Sequence, residues 1–214
     1  RWGRTEETYG EDPFLSAQMG VAFVSEFEYM GIITTPKHFV ANVGDGGRDS
    51  YPIEKSWPYL FQYDFVPFEA CVKQGKSKSI MSAYNSVYGE SCSMNSQLLI
   101  KALKDKWNFS GFVISDAGAV GGANVLHNTS HDYAESGKLA IENGMDVIFQ
   151  TSFDHFKLFI PHFIDGTIDS NRFNEAVSRV LRAKFELGLF EHPYIEEKSF
   201  TKADEELAKQ LAYK

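Results

Sequence analysis

The sequence predicts an α/β fold in which parallel strands alternate with helices, and three observations carry that prediction. A short apolar segment followed by a longer helical pattern recurs four times, with strands beginning near Ile32, Ile80, Phe112 and Met145. One of them, Phe112-Val113-Ile114, is a continuous apolar run after Gly111, the pattern of a strand buried on both faces. It leads straight into Ser115-Asp116 and then Ala117-Gly118-Ala119, small residues that leave room for a ligand beside a carboxylate. Such alternation calls for a parallel sheet wrapped by helices, and ligands of such sheets bind outside the carboxyl ends of the strands. Asp116 is therefore the first candidate functional residue, with a helix cap or a structural ion pair as the competing role.

Taken in order, the elements are these. Asp12-Pro13 reads as an N-cap and first turn, and apolar residues recur at helical spacing over 14–30 (Leu15, Met19, Ala22, Phe23, Phe27, Met30) until Gly31. A strand is expected over 32–40, ending in Pro36-Lys37-His38-Phe39, and a glycine-rich polar loop over 42–52 carries Arg48. A helix follows over about 56–73, with Pro58 and Pro67 near its turns, and Gly75 closes it. The strand 79–84 leads into a loop over 85–93, and Asn95 caps a helix through Lys106 with Leu98, Leu99, Ala102 and Leu103 on one face. After the strand at Phe112 comes a Gly/Ala/Asn loop to about Thr129, a helix over 131–143 ended by Gly144, and a buried strand over 145–149. Helices over 154–164 and 171–187 complete the pattern, and 191–198 reads as an exposed linker before a helix over 202–212.

A closed eight-stranded barrel takes about 250 residues. Here about 190 residues precede the linker and four strands are clear, so the chain reads as the carboxyl-terminal part of a (β/α)8 barrel or as a smaller doubly wound sheet. The expected division is 1–190 as partial barrel and 191–214 as linker and the start of a helix leading onward. The opening Arg1-Trp2-Gly3-Arg4 begins directly on motif-like sequence, as in a piece of something longer. With 43% hydrophobic and 23% charged residues the composition is that of a globular domain. A net charge of -8 argues against a nucleic-acid or anionic-membrane partner, and no apolar run is long enough to span a bilayer. Two cysteines imply no disulfide framework.

Polar residues cluster after three of the strands: Lys37-His38, Tyr84-Asn85 and Asp116, with Arg4 and Arg48 in loops expected on the same face. Each alone has an ordinary explanation: a solvated charge, a satisfied core histidine, a tyrosine with its hydroxyl at the rim. Together they place basic and hydroxyl donors around one acid, which suits a neutral, hydroxyl-rich substrate. The ordered set Gly3-Arg4-Thr5-Glu6-Glu7-Thr8-Tyr9-Gly10-Glu11-Asp12-Pro13, Lys37-His38-Phe39, Met81-Ser82-Ala83-Tyr84-Asn85 and Gly111-Phe112-Val113-Ile114-Ser115-Asp116 resembles glycoside hydrolase family 3, most of all its β-glucosidase and β-xylosidase branch. Residues 183–190 resemble the end of that family's barrel.

The resemblance implies a retaining, exo-acting β-glycosidase that forms a covalent glycosyl-enzyme, with no metal or organic cofactor. Asp116 matches the family's nucleophile, and Arg4, Lys37, His38, Arg48 and Tyr84 match residues that hold the sugar. The acid/base usually comes from a second domain, so the implied partners are an oligosaccharide or β-glycoside substrate and missing parts of the same polypeptide. A secreted or periplasmic location follows from the same resemblance. Glu90 and Glu135 lie in or near suitable loops, and neither is assigned the acid's role. Two departures stand out: Ala117 replaces the tryptophan often found after the nucleophile, and Lys37-His38-Phe39-Val40-Ala41-Asn42-Val43-Gly44 lacks the second histidine of N-acetylglucosaminidase relatives. The competing functions are a non-catalytic carbohydrate-binding remnant and, further off, a Schiff-base aldolase using Lys37.

Overall fold

The computed structural model describes residues 4–44, 47, 49–194 and 201–213. The chain divides into a larger unit, Arg1–Ala183, and a smaller one, Lys184–Lys214.

Helix α1 (Pro13–Tyr29) begins where expected, with Asp12 accepting from Leu15 N at 2.7 Å and Pro13 in the first turn. Its buried side differs from the expected stripe. Ala17, Gly20 and Val24 are buried, while Leu15, Met19 and Phe23 are exposed. Small residues decide this: a Cβ on Gly20 would stand 2.9 Å from Cys71 Sγ, so α1 packs closer to its neighbouring helix than a larger residue allows.

The segment expected as a strand over 32–40 pairs only at its end, where Phe39 N donates to Met81 O (2.7 Å) and Phe39 bridges Ser82 in parallel. Pro36, which has no N–H to give to a ladder, limits it to that. The loop that follows contains strand β1 (Pro52–Ile53). The single helix expected over 56–73 is instead α2 (Trp57–Tyr59), a wide π-turn (Leu60–Asp64) and α3 (Val66–Lys73). Phe65 N reaches back five residues to Leu60 O, and the wider turn accommodates Pro67, which cannot donate.

Strand β2 (Ser79–Met81) follows, then β3 (Ser86–Val87) and β4 (Glu90–Ser91) within the expected loop. β1 pairs parallel to β3, and β3 antiparallel to β4. Two-residue strands show no sequence periodicity, and Tyr88 and Gly89 both take positive φ (53° and 79°) in the tight turn between them. The expected helix after Asn95 is wound as a π-helix (Gln97–Lys106) that buries Leu98, Leu99, Ala102 and Leu103.

Strand β5 (Phe112–Ile114) lies parallel to β2, with Ile80 opposite Val113. Segment 145–149, expected as a strand, joins the far side of β5 by one parallel bridge, Val147 to Ile114. The parallel layer therefore runs in the order 36–40, β2, β5, 145–149. This is an α/β arrangement with few parallel strands, and among the described residues it does not close into a barrel. Behind it Phe39, Phe65, Phe68 and Trp107 interlock, ring centroids 5.2–5.6 Å apart.

The loop expected after Asp116 contains helix α4 (Ala119–Val125), whose Gly121 lies so close to the Tyr133 ring that a Cβ would come within 2.2 Å. Glycine's poor helix propensity is overridden there by packing. Helix α5 (Tyr133–Glu142) falls within the expected 131–143, its start fixed by Asp132, which accepts from Glu135 N at 2.8 Å. The helix expected over 154–164 breaks at Pro161 into a 3-10 segment (Phe153–Leu158) and α6 (Pro161–Ile164). α7 (Ser170–Glu186) and α8 (Lys202–Ala212) match expectation, the latter with a Thr201–Asp204 capping box. No described helix is long and apolar enough to cross a membrane.

Gly111 shows how tightly β5 is entered. A Cβ there would lie 2.2 Å from Lys78 O and 2.7 Å from the tip of the Phe109 ring. Gly111→Ala must push β5 away from β2, and a loss of about 1–3 kcal/mol is expected in urea unfolding. An unchanged midpoint would show that this entry is slack.

Candidate active site

Asp116 stands two residues past the end of β5, and the turn behind it fixes one of its oxygens. Oδ1 accepts from Ala117 N at 2.7 Å, and Gly118, at φ 75°, turns the chain into α4. Oδ2 is buried and, among the described residues, accepts no hydrogen bond, although His38 Nε2 lies 3.2 Å away. The two side chains are 13% and 7% exposed, so this pair is shielded from bulk water yet borders an open rim.

His38 Nε2 is also 3.1 Å from Arg4 Nη1. Nε2 thus sits between a guanidinium, which can only donate, and the Asp116 carboxylate, which accepts. Glu7 holds Arg4 in place: Nε and Nη2 donate to its two oxygens, each at 2.5 Å, in a bidentate fork. Lys37 Nζ lies 3.6 Å from the same carboxylate. The hydrogen bond from Arg4, reinforced by the charges of Arg4, Lys37 and His38, lowers the Glu7 carboxyl to about 2. Arg4 is pushed up chiefly by Glu7, with Asp116 contributing at longer range.

Tyr84 braces the other side. Its hydroxyl donates to Ala117 O at 2.8 Å, and its own carbonyl accepts from His127 Nε2 at 2.7 Å. The turn carrying Asp116 is thereby tied to the end of β2 as well as to segment 145–149, since Gly118 N donates to Phe149 O at 3.0 Å.

Of the residues singled out in the sequence, Arg4, Lys37, His38, Tyr84 and Asp116 are brought to one rim of the parallel layer, and Arg48 lies outside the described residues. Glu135 is used locally, accepting from His131 N at 2.6 Å ahead of α5, and Glu90 is exposed on β4. Sequence reasoning missed Glu7, for which the opposite charge three residues from Arg4 was a usable signal. It also missed His127, which carries no local signal. Among the described residues no three His, Cys, Asp or Glu side chains are placed to hold a metal ion.

Comparison with known proteins adds the following. Residues 1–183 match the model of the glycosyl hydrolase family 3 N terminal domain. A β-xylosidase of Formosa agariphila is 33% identical over 210 residues, covering 89% of this chain and 28% of that protein. A periplasmic β-glucosidase of Salmonella typhimurium is 31% identical over 202 residues, covering 91% of this chain and 26% of that protein. Among solved structures, a Listeria innocua β-glucosidase in complex with isofagomine superposes with a TM-score of 0.82 at 29% identity, over 94% of this chain and 29% of that one. The chain thus spans between a quarter and a third of the length of these relatives.

Proposed function

The chain belongs to glycosyl hydrolase family 3, and on that premise we propose that it carries the nucleophile and sugar-binding part of a retaining, exo-acting β-glycosidase. The observation that carries this reading is Asp116 itself: one oxygen held by its own turn, the other buried and, among the described residues, without a hydrogen bond, 3.2 Å from His38, which in turn neighbours Arg4. In the first step Asp116 Oδ2 bonds to the anomeric carbon as the glycosidic C–O bond breaks, and a carboxylic acid protonates the leaving oxygen. In the second, water attacks the same carbon, gives up a proton to that conjugate base, and releases the Asp116 carboxylate with configuration retained. Retaining geometry sets the two carboxyl groups about 5–5.5 Å apart. No residue of this chain is assigned the acid.

The donors have separate tasks. Arg4 and Lys37, steered by Glu7, offer N–H groups to sugar hydroxyls at the rim. His38 stands between Arg4 and the nucleophile, Tyr84 locks the turn, and Arg48 is proposed as a further sugar ligand from its loop. β-Glucosides and β-xylosides are the proposed substrate class, because the similar proteins are named for those activities. The four-membered parallel layer is read as the carboxyl-terminal part of a (β/α)8 barrel over 1–190, with 191–214 leading toward a further domain.

The test is labelling of the full-length protein with a 2-deoxy-2-fluoro-β-glycosyl fluoride, which traps a glycosyl-enzyme. A mass shift on the peptide bearing Asp116 is expected. Sugar binding without any label would favour the non-catalytic carbohydrate-binding remnant.

Glu7 gives a second measurement. Glu7→Gln loses the charge that aligns Arg4 and Lys37, so KM for an aryl β-glycoside should rise roughly 2- to 5-fold, the scale of an exposed charge pair. Because the Glu7 carboxyl is lowered from 4.5 to about 2, its contribution is complete above the ordinary value and disappears as pH falls through 2. The difference between variant and wild type should stay flat from pH 5 to 8; a difference that changes across that range would show that another group sets it.

A further inference from the structure

Register determines what shares a face with Asp116. Ile114 bridges Val147 in parallel, and beyond that bridge the backbone of Phe149 is held against the Asp116 turn: Phe149 N donates to Ser115 Oγ at 2.9 Å and Phe149 O accepts from Gly118 N at 3.0 Å. Residues two apart on a strand share a face, so Asp116 follows Ile114 and Phe149 follows Val147 toward the same side of the layer. Phe149 is 40% exposed although its backbone is pinned to both residues that flank the Asp116 turn. The residues beyond Asp116 are small, and the space over Gly118 is open: a Cβ built there meets no atom within 4 Å. An exposed aromatic residue, its backbone pinned, thus neighbours the open turn that carries the carboxylate.

We propose that Phe149 is a specificity-determining residue, its ring forming the platform for the apolar C–H face of the β-linked pyranose that Asp116 attacks. The proposal rests on the reading of Asp116 as nucleophile. β-Glucopyranosides and β-xylopyranosides carry equatorial substituents and so present flat faces of axial C–H groups, which an aromatic ring can cover. The platform stands on segment 145–149 and not in the turn after the nucleophile, where Ala117 has no ring to offer. Contact of this kind exists before and during reaction, so it lowers KM more than it raises kcat.

The experiment compares Phe149→Ala, Phe149→Leu and Phe149→Tyr in the full-length protein with 4-nitrophenyl β-glucoside, and repeats the fluoroglycoside labelling on each. Phe149→Ala should raise KM roughly tenfold, the upper end for loss of an aromatic contact, with kcat little changed. Phe149→Tyr should stay near wild type and Phe149→Leu should fall with Phe149→Ala. Should Phe149→Ala fail to fold, the Leu and Tyr variants still decide. Equal KM for Leu and Phe would overturn the platform and make Phe149 plain packing against other parts of the protein. If wild type is labelled at Asp116 and the concentration dependence of labelling is the same in Phe149→Ala, Phe149 alone is wrong. If wild type is never labelled at Asp116, the nucleophile reading fails and the platform is overturned with it.

Discussion

Asp116→Ala in the full-length protein is expected to lower turnover of an aryl β-glycoside by roughly 10^4- to 10^6-fold, the scale of removing a covalent catalyst. The variant should still bind sugar, because Arg4, His38, Lys37 and Tyr84 make their contacts without Asp116: Arg4 and Lys37 through Glu7, Tyr84 through Ala117 O. The Ala117 N–H loses its Oδ1 partner, but that turn remains tied through Gly118 N to Phe149 O, so the fold at the rim should persist. Added azide should restore part of the turnover by attacking from the vacated side, giving a glycosyl azide of inverted anomeric configuration. Restored product of retained configuration would mean that the anion does not occupy the carboxylate's place. Near-normal turnover would mean that Asp116 is a turn-capping residue and that another group does the chemistry.

Legibility in the sequence followed the range of the forces involved. The helix start at Asp12 was readable because a cap is a local hydrogen bond three residues long. The four-membered parallel order was readable from alternation alone, since each apolar run is separated by a helix. What failed was decided by partners distant in sequence. α4 falls where the sequence predicts a loop, because its glycines weaken a helix, yet Gly121 is there to admit the Tyr133 ring. α1 turns Ala17, Gly20 and Val24 inward, where the stripe of larger residues predicted the other side; closeness to Cys71 on α3 selected the small ones. The same division holds at the site. Asp116, Lys37 and His38 stand at strand ends and could be found one by one, whereas Glu7 became visible only once its fork with Arg4 and its reach to Lys37 were seen.

Asp146 is the extreme case, an acid hidden in an apolar strand, and its loss should produce the largest change in stability. Its side chain is fully buried at the opposite end of segment 145–149 from the rim, where Lys104 Nζ donates to Oδ1 at 3.0 Å, Arg172 Nη2 donates to the same oxygen, and Val113 N donates to Oδ2 at 2.8 Å. Lys104 also reaches Gly144 O and Arg172 reaches Met145 O, each at 2.7 Å, so one carboxylate joins the π-helix, α7, β5 and segment 145–149. Asp146→Ala leaves two buried cations and a strand N–H without their acceptor, and should cost about 3–5 kcal/mol in urea unfolding. Lys104→Met removes a cation that burial already pushes down to about 8, and leaves Asp146 with Arg172 and Val113 N; its cost should be under about 1 kcal/mol. The sign with pH follows from the same displacement. A lysine whose folded value lies near 8 against 10.5 unfolded sheds its proton first in the folded chain, so wild type should gain stability over Lys104→Met as pH rises from 8 to 10.5. Equal midpoints for Asp146→Ala and wild type would show that water reaches Lys104 and Arg172, and that the clamp beneath the site is not what holds β5 in register.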